Sequence, residues 1–216
     1  MNRAEICRRI EEVGIVPVVR APSEELAMRA AEALLAGGIS VFEITMTVPN
    51  AQAVIRALVK RFGSEALVGA GTVLSADDAR SCIDAGSQFI VSPGLDHDTI
   101  EAAHANGVAM MPGALTPTEV ISAHKAGSDM VKIFPCSAVG GAKYLKALKG
   151  PLPQVKMLPT GGVSLATVAE LIAAGAAALG IGGELVDTKA LAAGQDAIIT
   201  ERAKELVAAV AAARSR

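Results

Sequence analysis

Lys132 stands in the apolar run Met130-Val131-Lys132-Ile133-Phe134-Pro135, which reads as a buried strand. A lysine in that setting loses hydration, so its charged form is disfavoured and a neutral amine becomes available as a nucleophile. That is the chemistry of Schiff-base formation with a carbonyl substrate. The competing reading is a strand-end lysine that snorkels its ammonium to water. Glu43 lies in a similar run, Val41-Phe42-Glu43-Ile44-Thr45, and strand alternation puts it on one face with Val41 and Thr45. A buried carboxylate beside such a lysine can shuttle the protons that carbinolamine formation, dehydration and carbon–carbon cleavage all require. The alternative for Glu43 is a structural ion pair with Lys132 or Arg20, because unpaired burial of a carboxylate is costly.

A recurring junction positions these residues. Helix-like segments end in Ala36-Gly37, Ala85-Gly86, Asn106-Gly107, Ala126-Gly127 and Ala174-Gly175, and a short apolar run follows each one. Glycine just past a helix end supplies a left-handed cap. The runs are Val41 to Thr45, Phe89 to Ser92, Val108 to Pro112, Met130 to Phe134 and Ala178 to Gly182, and Ile15 to Arg20, Leu67 to Gly71 and Val155 to Pro159 fill the gaps. Amphipathic segments such as Glu24-Ala36 and Leu165-Ala174 separate them. Eight such units, spaced by about 20 residues or multiples of that, imply an α/β fold of the (β/α)8 TIM-barrel type. An extra N-terminal helix with Ile6, Ile10 and Val13 at helical spacing is expected to cover the bottom of the barrel, and Asp196 to Ala212 reads as the last helix. No linker or composition shift divides the chain, so a single domain over 1–216 is expected.

In such a barrel the chemistry lies at the carboxyl ends of the strands. Those ends carry Arg20, Glu43 with Thr45 and Thr47, Gly71-Thr72, Ser92-Pro93, Pro112-Gly113, Lys132, Thr160-Gly161-Gly162 and Gly182-Gly183. The two glycine pairs offer backbone N–H groups without side-chain obstruction, after strands seven and eight, where this fold commonly cradles phosphate. Their alternative is a pair of tight turns. Ser164 is a candidate cap for the helix that follows. Thr72 is placed to hydrogen-bond a carboxylate or keto acid, or else is a turn threonine. His97, His104 and His124 have no metal-ligand spacing and read as surface helix positions, so no metal is assigned. Cys136, without a partner base, reads as a small packing residue.

Composition excludes other classes. A formal net charge of -2 and 2% aromatic residues provide neither a basic field for phosphodiesters nor a stacking platform for bases, so nucleic acid is not an expected partner. The three cysteines show no paired spacing and no secretory leader opens the chain, which fits a reducing cytoplasm. Val168 to Val186 is apolar, but Glu170, Glu184 and several glycines interrupt it, so it reads as helix, turn and strand and no membrane partner is expected.

Taken together, Lys132, Glu43 and the glycine pairs make the sequence resemble the KDPG/KHG aldolase family, class I enzymes that cleave 2-keto-3-deoxy-6-phosphogluconate or 4-hydroxy-2-oxoglutarate. The resemblance runs over essentially the whole chain. It includes Gly14-Ile15-Val16-Pro17-Val18-Val19-Arg20, Glu43-Ile44-Thr45-Met46-Thr47-Val48-Pro49, Gly69-Ala70-Gly71-Thr72-Val73, Ile90-Val91-Ser92-Pro93, Met111-Pro112-Gly113, Lys132-Ile133-Phe134-Pro135 and Pro159-Thr160-Gly161-Gly162. It implies that Lys132 forms an imine with the keto carbon and that Glu43 is the general acid/base, acting through a bound water. It also implies that Thr72 and Pro93 line the pyruvate end and that Thr47 and Thr160 belong to the substrate site. Phosphate would rest on Gly161, Gly162, Gly182 and Gly183, and cleavage would yield pyruvate and D-glyceraldehyde 3-phosphate. A homotrimer without metal or cofactor is implied as well.

Two positions depart from the family pattern. Some members carry an arginine four residues after the catalytic glutamate, where this chain has Thr47, and Arg20 is the candidate replacement for binding the substrate carboxylate. Members often have Gly-Ser where this chain has Gly182-Gly183, a loss of one hydroxyl donor worth about 1 kcal/mol. That keeps unphosphorylated hydroxyoxoglutarate as a substrate. Two further readings are a 2-dehydro-3-deoxy-6-phosphogalactonate aldolase and a non-catalytic phosphate-ligand-binding barrel in which Lys132 supplies only charge.

Overall fold

Short apolar runs, each entered from a helix stop, become parallel strands. In the computed structural model, which describes residues 1–215, these are β1 (Ile15–Val19), β2 (Val41–Thr45), β3 (Leu67–Gly71), β4 (Phe89–Val91), β5 (Ala109–Met111), β6 (Gly113–Ala114), β7 (Val131–Ile133), β8 (Met157–Pro159) and β9 (Leu179–Ile181). The helices are α1 (Arg3–Val13), α2 (Glu24–Ala36), α3 (Ala51–Phe62), α4 (Ala76–Asp84), α5 (His97–Ala105), α6 (Pro117–Lys125), α7 (Ala142–Lys149), α8 (Val168–Ala173), α9 (Thr188–Ala192) and α10 (Asp196–Arg214). The strands form a six-stranded sheet, β5-β4-β3-β2-β1-β9, and a three-stranded sheet, β6-β7-β8. A Thr160–Gly180 bridge joins the end of β8 to β9. The result is an α/β fold with a curled, TIM-barrel-like parallel wall.

The expected strand Val108 to Pro112 is split. Proline has no N–H for a ladder, and at Pro112 the chain leaves β4 and resumes against β7, where the Pro112 carbonyl accepts from the Lys132 amide at 2.9 Å. The junction glycines at 86, 107, 127 and 175 have positive φ as expected, but Gly37 does not (φ -84); its neighbour Gly38 makes the left-handed turn (φ 90). The helix expected over Leu165-Ala174 begins only at Val168. Ser164 does not cap it with its side chain; instead the Thr167 hydroxyl accepts from the Ser164 amide at 3.0 Å and holds a turn ahead of the helix. α9 was not expected, since five residues are too few to display a helical period.

Alternation along the strands sorts the core into two layers. Val16, Val41, Leu67, Phe89, Val91, Ala109, Met111, Met130, Leu158 and Ala178 form one cluster with Ile6, Cys7 and Ile10 of α1, so α1 plugs the base of the wall. The opposite parity, with Phe42, Ile44, Val68, Ile90, Val131 and Ile133, packs against the outer helices. Arg3 ties α1 down, its guanidinium on Asp129 at 3.0 Å and on His104 Nε2 at 2.7 Å. His104 is thus half-buried inside an ionic cluster and is not the surface residue its sequence position suggests. No helix among the described residues is long and apolar enough to cross a membrane.

Candidate active site

Lys132 is the central residue of β7, and it shares parity with inward-facing Met130. Its side chain therefore enters the interior of the wall and is only 3% exposed. Glu43 enters from the other sheet with the parity of Val41 and is 1% exposed. The Lys132 ammonium nitrogen lies 3.6 Å from Glu43 Oε1. It also sits over the Phe134 ring, 5.4 Å from the centroid, within the range of a cation–π contact.

Burial pushes the Glu43 carboxyl above the usual carboxylate range, while the charges of Lys132 and Arg20 pull it back. Oε1 is buried with no hydrogen-bond partner among the described residues, since 3.6 Å is too long for a hydrogen bond. The carboxylate fits because β3 gives way. Glu43 faces Gly69 across the ladder, and a Cβ placed on Gly71 would stand 2.5 Å from Oε1 and 2.6 Å from Cδ. Gly69 in turn accommodates the Phe89 ring. Two residues along β2, the Thr45 hydroxyl lies 3.0 Å from the Val19 carbonyl and 2.7 Å from the Thr47 hydroxyl.

Next to this pair, on the far side of Phe134, opens a cleft lined by Arg20, Phe134, Thr160, Gly161, Gly162, Gly182, Gly183 and Glu184, among others. It unites six of the expected residues. Gly161 and Gly162 take positive φ (91 and 72), and Ser137 packs where a Gly162 side chain would be. Phe134 belongs to both places, roofing the lysine on one side and facing the cleft on the other.

Five expected residues lie outside the cleft lining: the sealed pair Lys132 and Glu43, and Thr47, Thr72 and Pro93. Thr47 is exposed and held by Thr45. Thr72 follows Gly71 with a left-handed backbone (φ 57), on the Glu43 side. The Pro93 backbone packs on Gly113, which is the ladder partner of Lys132. Cys136 is buried, and burial pushes its thiol up, as suits a packing residue. Sequence reasoning missed Phe134, the seat made by Gly71, and Glu184. No group of three His, Cys, Asp or Glu among the described residues is arranged to hold a metal ion.

A family model described as KDPG and KHG aldolase matches residues 6–202. The chain belongs to that family. The KDPG and KHG aldolases are carbon–carbon lyases, and the curated relatives are likewise named as aldolases. The KHG/KDPG aldolase of Escherichia coli K12 is 40% identical over 194 residues, covering 89% of this chain and 90% of that protein. The 2-dehydro-3-deoxy-6-phosphogalactonate aldolase of the same organism is 35% identical, covering 79% of this chain and 83% of its own. Among solved structures, the KDPG aldolase of Legionella pneumophila superposes with a TM-score of 0.86 at 31% identity, covering 93% of this chain and 97% of that one. That aldolase was captured with pyruvate as a covalent carbinolamine intermediate.

Proposed function

We propose that this chain is a class I aldolase that reversibly cleaves 2-dehydro-3-deoxy-6-phosphogluconate to pyruvate and D-glyceraldehyde 3-phosphate, and that it also accepts 4-hydroxy-2-oxoglutarate. The observation that carries this reading is the sealed amine–carboxylate pair, Lys132 and Glu43, beside an open cleft. With its proton passed to Glu43, the Lys132 amine attacks the C2 carbonyl and forms a carbinolamine. Glu43 returns a proton to the departing hydroxyl, water leaves, and a cationic imine remains. The Glu43 carboxylate then takes the C4 hydroxyl proton while the C3–C4 electron pair moves into the imine. This breaks the C–C bond, releases the aldehyde and leaves an enamine. Protonation at C3 and addition of water free pyruvate and restore the lysine.

Around that centre, Arg20 binds the substrate carboxylate, Thr72 and Pro93 line the pyruvate end, and Thr47 and Thr160 complete the substrate site. The N–H groups near Gly161, Gly162, Gly182 and Gly183 receive the phosphate. The two sheets act as one eight-unit barrel in which β5 and β6 are halves of a strand broken at Pro112; the Thr160–Gly180 bridge supports this. Residues 1–216 work as one domain, and three copies assemble as a homotrimer. A cytoplasmic location is supported by three buried, unpaired cysteines.

The test is pyruvate release from 2-dehydro-3-deoxy-6-phosphogluconate, its galactonate epimer and 4-hydroxy-2-oxoglutarate, compared as kcat/KM. Highest turnover on the gluconate form is expected. A preference for the epimer would move the physiological substrate without altering the mechanism, and no pyruvate from any of the three would reject the reading.

A further inference from the structure

Glu184 directly follows the glycine pair at the end of β9, is exposed, and lines the same cleft as Arg20, Thr160 and Gly161. Among the cleft's lining residues, Arg20 is the one cation and Glu184 the one anion. Glu184 also borders a neighbouring cavity with Ser164 and Arg202, but the Arg202 guanidinium is held by Asp187 at 3.2 Å. Among the described residues, no ion pair within 4.0 Å neutralises Glu184. Its charge is therefore felt in the cleft.

We propose that Glu184 is a specificity-determining residue that weakens the advantage of a dianionic phosphate tail and favours tails that present uncharged hydroxyls. The inference rests on the aldolase reading above. A substrate whose carboxylate engages Arg20 leaves its distal phosphate with backbone N–H donors, no second cation, and a like charge one residue beyond the glycines. A hydroxyl tail meets the same carboxylate as a hydrogen-bond acceptor. In a water-facing cleft, repulsion between a carboxylate and a dianion several ångströms away amounts to about a three- to tenfold loss in binding, and salt attenuates it.

The experiment compares 2-dehydro-3-deoxy-6-phosphogluconate with unphosphorylated 2-dehydro-3-deoxygluconate for the full chain and for Glu184→Gln, at about 20 mM and about 500 mM salt. The expected result is a rise of about three- to tenfold in the phosphorylated-over-unphosphorylated ratio of kcat/KM in the variant, carried by KM and shrinking at high salt. A ratio that does not move, or that moves equally at both salt concentrations, overturns the proposal. Borohydride trapping of pyruvate on both proteins separates the two failures. An intact Lys132 adduct with an unmoved ratio removes only the role of Glu184; a missing adduct removes the aldolase reading and this inference with it.

Discussion

Glu43 Oε1 stands 3.6 Å from the Lys132 ammonium nitrogen, with both side chains sealed from solvent and the oxygen otherwise unpartnered. Neither group reaches this position through its own strand alone. β2 and β7 belong to different sheets, so the pair exists only when the parallel wall is complete. Burial raises the Glu43 carboxyl while Lys132 and Arg20 oppose that rise, which leaves a group able to hold a proton nearer neutrality than an ordinary glutamate.

Replacing Glu43 by Gln keeps the shape and removes the proton shuttle. Turnover should fall by about 10²- to 10⁴-fold, while slow trapping of pyruvate on Lys132 persists. Steady-state cleavage kinetics beside single-turnover trapping measure the two effects, and turnover within a few-fold of the parent would show that Glu43 is a structural partner only.

Gly71→Ala tests the seat of the carboxylate without replacing either reacting group. The new Cβ would lie 2.5 Å from Oε1, so the carboxylate must shift. A displacement of about 1 Å at a reacting group costs on the order of 10²-fold in rate. We expect kcat to drop to that extent and the pH–rate profile to move, with the thermal transition still cooperative. An unmoved pH profile would separate Gly71 from Glu43.

Why Lys132 and Glu43 were legible in the sequence and Gly71 was not has a physical basis. A charge inside a run of branched apolar residues contradicts the local pattern, and such a conflict points to chemistry. Strand parity then places it correctly, because alternation is a property of the chain itself. The eight apolar runs were readable for the same reason, and the Pro112 break was the exception, because one missing N–H reroutes a strand only when a second sheet is there to receive it. Gly71 carries no such local signal: its φ is not positive, and its reason for being glycine is a carboxylate on the next strand. His104 failed similarly, since its partners Arg3 and Asp129 are 101 and 25 positions away in numbering.

The His104 cluster gives the fold a pH dependence. Burial and the Arg3 charge hold the imidazole below its ordinary value of 6.5, outweighing Asp129, which raises it. With the folded value depressed, stability is fully present above pH 6.5 and is lost as pH falls toward the folded value. Urea midpoints between pH 7.5 and 5.5 should therefore decline more steeply for the parent than for His104→Gln. Parallel declines would remove His104 as the cause.

Arg20→Ala removes the one cation of the cleft lining. Loss of a charge-assisted contact to the substrate carboxylate should raise KM about tenfold or more, with a smaller change in kcat. Arg56→Ala on the exposed face of α3 serves as the control. Equal KM values for the two variants would assign the carboxylate to another group.

Incubation with pyruvate and borohydride, followed by intact mass and peptide mapping, addresses the central claim most directly, because reduction freezes an imine on whichever amine formed it. A single reduced adduct confined to Lys132, absent in Lys132→Ala, is the expected result. A folded protein that acquires no adduct, or one that carries it on a different lysine, would contradict the account.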